Sequence, residues 1–203
     1  MLRLAEMARE AGKMRLSRQR LQRILEKTEN LPDEDRDARI LLAYTEKDLN
    51  EIEKAKSILS TVKDPSSDSW GGYRTLIAHA DIEWAAGREN FAIRRMREAK
   101  EHALRLGIEE PVLECSFRLA RLLAGLGQAS QAKNELDSAM GRCRKPEAKL
   151  SVLLVRLDVS LRTEDQEGFQ EALDKAEGLV DEEGLTEEAA DFYMDVAELM
   201  WGQ

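Results

Sequence analysis

Apolar residues return at helical intervals along almost the whole chain, and glycine, asparagine or proline interrupts them at regular distances. Trp70, Tyr73, Leu76, Ile77, Ala80, Ile82 and Trp84 have the spacing of one helix, which Gly87 ends. Ala92, Ile93, Met96, Ala99, Ala103 and Leu104 carry a second helix, which Gly107 stops. Ala80, Gly87, Ala92 and Ala99 lie at steps of seven, five and seven, and Ala120, Gly127, Ala132 and Ala139 repeat those steps forty residues later. Residues seven apart in a helix sit about 20° apart around its axis, so Ala92 and Ala99 share a face, as do Ala132 and Ala139. A neighbouring helix can come close there, and the intervening glycine lets the chain reverse. Each stretch is predicted to be an antiparallel helix pair, and stacked pairs make an all-α solenoid.

The rhythm continues on both sides. Pro111, at a first-turn position, opens a helix carrying Val112, Leu113, Cys115, Leu119, Ala120, Leu122 and Leu123. Asn90 and Ser130 stand where N-caps of the two second helices belong. Ala43, Asn50 and Ala55 keep the steps of seven and five, with asparagine, which tolerates the left-handed conformation, in place of glycine. Leu157, Glu164, Phe169 and Ala176 hold the spacing without the small residues, and Thr163 to Gln166 resembles a capping box. The first repeat has Gly12, Leu21 and Ile24 behind a short leading helix, with Pro32 closing it. Pro65-Ser66-Ser67-Asp68-Ser69 breaks the chain before Trp70, where Gly71 and Gly72 give the loop its bend. Gly184 and Thr186 introduce a last helix through Ala189, Phe192, Val196 and Met200. The expected architecture is about five antiparallel helix pairs, near 1–31, 33–64, 69–107, 111–143 and 146–181, plus a C-terminal capping helix over 186–201, in one domain spanning 1–203.

Composition sharpens this picture. Apolar residues make up 42% and aromatics 5%, which suits aliphatic and alanine packing between helices better than a β-sandwich. The net charge of -9 hides an asymmetry: residues 1–30 carry eight Lys/Arg against four acids, whereas from Glu164 onward fourteen Asp/Glu face one lysine, Lys175. The plain reading is two solvated outer faces on terminal helices. The sharper one is that the basic N-terminal and acidic C-terminal ends meet head to tail in a homo-oligomer, or that each end faces an oppositely charged neighbour. No apolar run approaches the roughly 20 residues of a membrane span, and the opening MLRLAEMAREAGK is an amphipathic helix, not a secretion signal. A cytoplasmic protein without membrane contact is expected, with Cys115 and Cys143 reduced.

The turn markers Gly12, Asn50, Gly87, Gly127 and Glu164 are separated by 38, 37, 40 and 37 residues. With a small residue in the first helix, glycine at the turn, and alanines seven apart in the second, the pattern resembles the tetratricopeptide repeat (TPR-like) superfamily in a long-repeat variant. Its period exceeds that family's usual 34 residues, which implies longer helices. The resemblance implies binding of another molecule on a concave side lined by the first helices.

Chemistry has little support. His79 and Asp81, two apart, do not face each other on a helix; Glu98 and His102, four apart, do. A pair is not a zinc site, no HExxH or CxxC is present, and an exposed or half-buried histidine is expected at each position. Trp70-Gly71-Gly72-Tyr73 lacks the lysine of a phosphate loop. No catalytic residue, metal ligand or cofactor is assigned, and the chain is read as no enzyme. Arg94, Arg95, Arg97 and Lys100 cluster on one helix, but the overall charge and the lack of aromatic-interleaved basic stripes argue against nucleic acid.

By the resemblance, the concave side takes Asp37, Ile40, Tyr44 and Lys47 from the second repeat, and Arg74, Ile77, Asp81 and Trp84 from the third. Glu114, Phe117 and Arg121 come from the fourth, and Ser151, Leu154, Asp158 and Arg162 from the fifth. Tyr44, Lys47, Arg74, Ile77, Asp81, Trp84, Phe117, Arg121, Asp158 and Arg162 are the candidate partner-binding residues. Aromatic anchors and arginines that can hold carboxylates or carbonyls suit a protein or peptide partner. The expected function is a non-catalytic interaction scaffold or adaptor holding a peptide or helix. The alternative is a sensory segment of a larger signalling or transcription regulator.

Overall fold

The structure is a computed structural model that describes residues 1–28, 31–62 and 69–201, with backbone alone at 186, 187 and 201. The described residues form helices α1 (Leu2–Glu10), α2 (Met14–Leu25), α3 (Pro32–Asp48), α4 (Ile52–Ser60), α5 (Trp70–Ala85), α6 (Glu89–Leu106), α7 (Glu109–Gly125), α8 (Ala129–Met140), α9 (Pro146–Arg162), α10 (Gln166–Glu183) and α11 (Thr186–Trp201). No strand occurs among them. They divide into two compact units, Met1–Gly107 and Ile108–Gln203.

In the N-terminal unit α1–α2, α3–α4 and α5–α6 pair as hairpins, with α3 packed on α1, α2 and α5. In the C-terminal unit α7–α8 and α9–α10 pair, α9 packs on α7 and α8, and α11 lies against α9. The small-residue pattern marks these seams. Ala43, Ala55, Ala80, Ala92, Ala99, Ala120, Ala132 and Ala139 are all buried. The first repeat carries the pattern too: Ala5, Gly12, Ser17 and Ile24 stand at the same steps of seven, five and seven, and Ala5, Ser17 and Ile24 are buried. In the last repeat Leu157 and Ala176 keep the seam closed, within a core shared with Leu150, Leu153, Ala172, Leu185, Phe192 and Val196.

One turn recurs in every hairpin. Gly12, Asn50, Gly87, Gly127 and Glu164 all have positive φ, between 55° and 71°. The next N–H in each case donates to the carbonyl five residues back, from Lys13, Glu51, Arg88, Gln128 and Asp165, at 2.8–2.9 Å. That is the helix-ending bond of a Schellman motif, and it satisfies a carbonyl the helix would otherwise leave open. Glycine takes this conformation without penalty and asparagine nearly so, whereas Glu164 holds it at a cost of about 1 kcal/mol.

Helix starts depart from the sequence reading. Asn90 and Ser130 lie inside α6 and α8, and Arg88 and Gln128 occupy the N-cap positions without side-chain caps. The Schellman turn leads almost directly into the next helix, which leaves the cap to whichever residue follows it. Before α10 the cap is Asp165 rather than Thr163, its carboxylate accepting from the Gly168 N–H at 2.9 Å. Pro32 opens α3 instead of closing the first repeat, at a position where a missing N–H costs nothing. Gly71 and Gly72 are buried in the first turn of α5, not in a loop; a Cβ on Gly71 would collide with the Arg36 guanidinium of α3. Ser69 caps that helix, accepting from the Gly72 N–H at 3.2 Å. Pro65 to Asp68 of the breaker cluster lie outside the described residues.

Candidate functional site

The first helices of each unit place equivalent positions side by side, one repeat apart. The residue six before each turn marker is Tyr44, Asp81, Arg121 or Asp158 in the second to fifth repeats. In the N-terminal unit the Tyr44 hydroxyl donates to Asp81 Oδ2 at 2.9 Å, from α3 to α5. Thirteen before the marker, Arg74 Nη1 donates to Asp37 Oδ2 at 2.9 Å. In the C-terminal unit Arg121 Nε donates to Asp158 Oδ2 at 2.7 Å, from α7 to α9. All three bonds join residues 37 apart, so each is a contact between one register position and its own copy.

Around Tyr44 the N-terminal face is dense with charge. Arg9 of α1 pairs with Asp48 at 2.6 Å, and its guanidinium stands 5.3 Å from the Tyr44 ring centre, with Lys47 Nζ at 5.4 Å. Both distances suit cation–π attraction. The cations Arg9, Arg36, Lys47 and Arg74 are matched by Asp33, Asp37, Asp48 and Asp81. Trp84 is partly exposed at the C-terminal end of α5, whereas Ile77 is buried between helices and offers a partner nothing.

The C-terminal face is built differently. Asp158 is only 4% exposed along its side chain and receives two arginines, Arg121 on Oδ2 and Arg162 on Oδ1, each at 2.7 Å. Arg121 and Arg162 are 45% and 51% exposed. Each donates Nε to the carboxylate, and about half of each arginine side chain remains open to solvent. The trio carries one net positive charge. Phe117 is half-buried on the same helix as Arg121.

Sequence reasoning missed Arg9, Asp48, Arg36 and Arg156. A complementary residue about one repeat away was the available signal for Arg9 and Asp48, whereas Arg36 pairs with Asp33 and Asp37 on its own helix. Arg156, nearly buried in α9, gives no pattern in the sequence; it pairs with Asp137 of α8 beside cavities of about 260 and 440 Å³. His102, expected to be exposed or half-buried, is buried, with Nε2 2.9 Å from the Ser69 carbonyl at the start of α5. Glu98 does not serve it: burial raises the Glu98 carboxyl, but Arg95 and Arg94 bind it at 2.7 and 3.0 Å and hold it below the usual carboxylate range. Two arginines of the basic cluster on α6 are spent there.

Cys115 and Cys143 are buried free thiols. Burial, reinforced by Glu109, pushes the Cys143 thiol up. No cluster of three or more His, Cys, Asp or Glu able to hold a metal exists among the described residues, and none of their helices is long and apolar enough to cross a membrane.

No protein-family model and no curated protein sequence matches the chain. Solved structures do. The TPR-like repeats of a Podosopora anserina kinesin light chain-like protein superpose with a TM-score of 0.75 at 16% identity, covering 91% of this chain and 95% of that one. BtubC (BKLC) from P. vanneervenii gives 0.72 at 16% identity, covering 89% and 78%. A Rap protein complexed with Competence and Sporulation Factor gives 0.69 at 14% identity, covering 97% of this chain and 61% of that one. Together with helix pairs that share one turn and one alanine seam, these likenesses establish the fold as an all-α, TPR-like helical repeat of the α-solenoid class.

Proposed function

We propose that this chain is a non-catalytic interaction scaffold or adaptor that holds a peptide or helix of a partner protein against its first-helix faces. The observation that carries the reading is the Arg121–Asp158–Arg162 trio. A buried carboxylate anchors two half-exposed arginines from adjacent repeats, which restricts them before a partner arrives and lowers the entropic cost of their binding a carboxylate or backbone carbonyl. Tyr44 and Trp84 supply amphipathic surface on the corresponding face of the N-terminal unit, where aromatic anchors strengthen peptide recognition. A Rap protein, similar in fold, was solved with a bound factor.

The test starts with affinity capture from the native cell and mass spectrometry of the captured proteins. Trp84→Ala combined with Arg121→Ala is expected to weaken recapture of that partner at least tenfold while helical ellipticity stays unchanged. Recapture at wild-type strength by a folded variant overturns the reading.

A second reading is a sensory segment of a larger signalling or transcription regulator, suggested by the similar fold of a Rap protein solved with a bound factor. A DNA-binding, kinase or ATPase domain in the same reading frame supports it; a reading frame encoding the repeats alone contradicts it.

A further inference from the structure

The first and last helices each leave an apolar stripe uncovered among the described residues. On α1 the stripe is Leu4 and Met7, 54% and 55% exposed, continued by Met1 and Ala11 at steps of three and four. On α11 it is Ala190, Tyr193, Met194, Ala197 and Met200, at steps of three, one, three and three, with Met194 61% exposed. These are the spacings of one helix face, the kind that elsewhere in this fold is covered by the next helix pair. The charges around the two stripes are opposite. Around α1 and α2, Arg3, Lys13, Arg15 and Arg23 are exposed and make no ion pair with any described residue, and although Glu6, Glu10 and Glu26 are exposed there too, residues 1–28 carry eight Lys/Arg against three acids. Along α11 run Asp191, Asp195 and Glu198, and α10 beside it adds Glu177, Asp181 and Glu182. Two α11 faces brought together would set acid against acid, and two α1–α2 faces would set base against base. Only the unlike pair brings attraction to the rim and apolar contact to the centre.

We propose that the occupant of the α11 stripe is the α1–α2 face of a second copy of this chain, so that copies associate head to tail through two different surfaces. The contact is heterologous, and an open assembly keeps one unused α1–α2 face at one end and one unused α11 face at the other. It involves neither Arg121 nor Arg162, so its failure leaves the proposed partner-binding face untouched.

The test is the solution mass of the full chain by sedimentation, from about 1 to 200 μM, in low and high salt. The wild type is expected to exceed one chain as concentration rises, and less so at high salt. Leu4→Glu/Met7→Glu disables the α1 face, and Met194→Glu/Ala197→Glu disables the α11 face; each is expected to be a single chain alone. An equimolar mixture of the two has one working contact and should give two-chain complexes and nothing larger. Should the first double variant lose helical ellipticity, Arg15→Glu/Arg23→Glu replaces it, at exposed positions that bear on no core. A wild type that stays a single chain throughout overturns the proposal. So does a mixture that stays monomeric, or association abolished by the α11 substitutions and indifferent to those on α1, which would mean that α11 is covered by something else.

Discussion

The N-terminal and C-terminal units build the same register position into faces of different character. In the first, Tyr44 meets Asp81, and Asp37 faces both Arg74 and Arg36, the latter shared with Asp33, so charge balances and the face is left with an aromatic ring between two cations. In the second, Arg121 and Arg162 converge on one buried carboxylate and an excess positive charge is left facing outward. The scaffold dictates which residues meet, because equivalent positions on adjacent first helices are neighbours. The side chains at those positions decide whether the meeting is self-contained or leaves something for a ligand.

The largest expected effect comes from removing the keystone of the second face. Asp158→Ala deletes a buried carboxylate with two charge-assisted bonds and should cost about 2 kcal/mol, read as a lowered urea midpoint. Since both arginines can then reach water, a loss well beyond that would mean that Asp158 supports packing as well as charge. Glu164→Gly relieves the one left-handed turn among the described residues held by a residue that is neither glycine nor asparagine, and should raise stability by about 1 kcal/mol. Denaturation that moves the other way would show the Glu164 side chain contributing through a contact of its own. Tyr44→Phe removes one hydrogen bond from the balanced face at about 1 kcal/mol, leaving the ring between Arg9 and Lys47.

The smallest effect is one of pH. The folded chain holds the Glu98 carboxyl below its usual range, so the stability it contributes is present above that range and is lost as pH falls through the depressed value. Glu98→Gln should shallow the acid limb of a stability–pH profile in that window alone; an unchanged profile would show that the Arg94 and Arg95 contacts carry no net weight.

Much of this fold is legible in the residues because a left-handed turn and a close helix seam each demand particular side chains. Glycine or asparagine at four of the five turns, and alanine at most of the seams, announce the hairpins before any coordinates. The first repeat was hard to read since Ser17 stands where later repeats have alanine; a serine disappears into such a seam when its hydroxyl finds a partner, here Thr45 at 3.3 Å. Asn90 and Ser130 are of the residue types that cap helices, yet the Schellman turn sets where the next helix begins and leaves both inside it.

The candidate face was legible as a set of positions and not as a set of partners. Amphipathic spacing marks which side chains share the first-helix side, and Tyr44, Arg74, Asp81, Arg121, Asp158 and Arg162 do share it within their units. Spacing along one helix says nothing of depth. Ile77 and Asp158 proved to be buried, and only the crossing of neighbouring helices determines that.

A double-mutant cycle on Arg121 and Asp158 tests the central claim most directly, by comparing the stabilities of Arg121→Ala, Asp158→Ala and the combined variant. Adjacent repeats locked through one register position predict a coupling of about 1 kcal/mol or more between the two side chains. Additivity to within about 0.3 kcal/mol would contradict it, and with it the idea that this carboxylate holds the arginines in place for a partner.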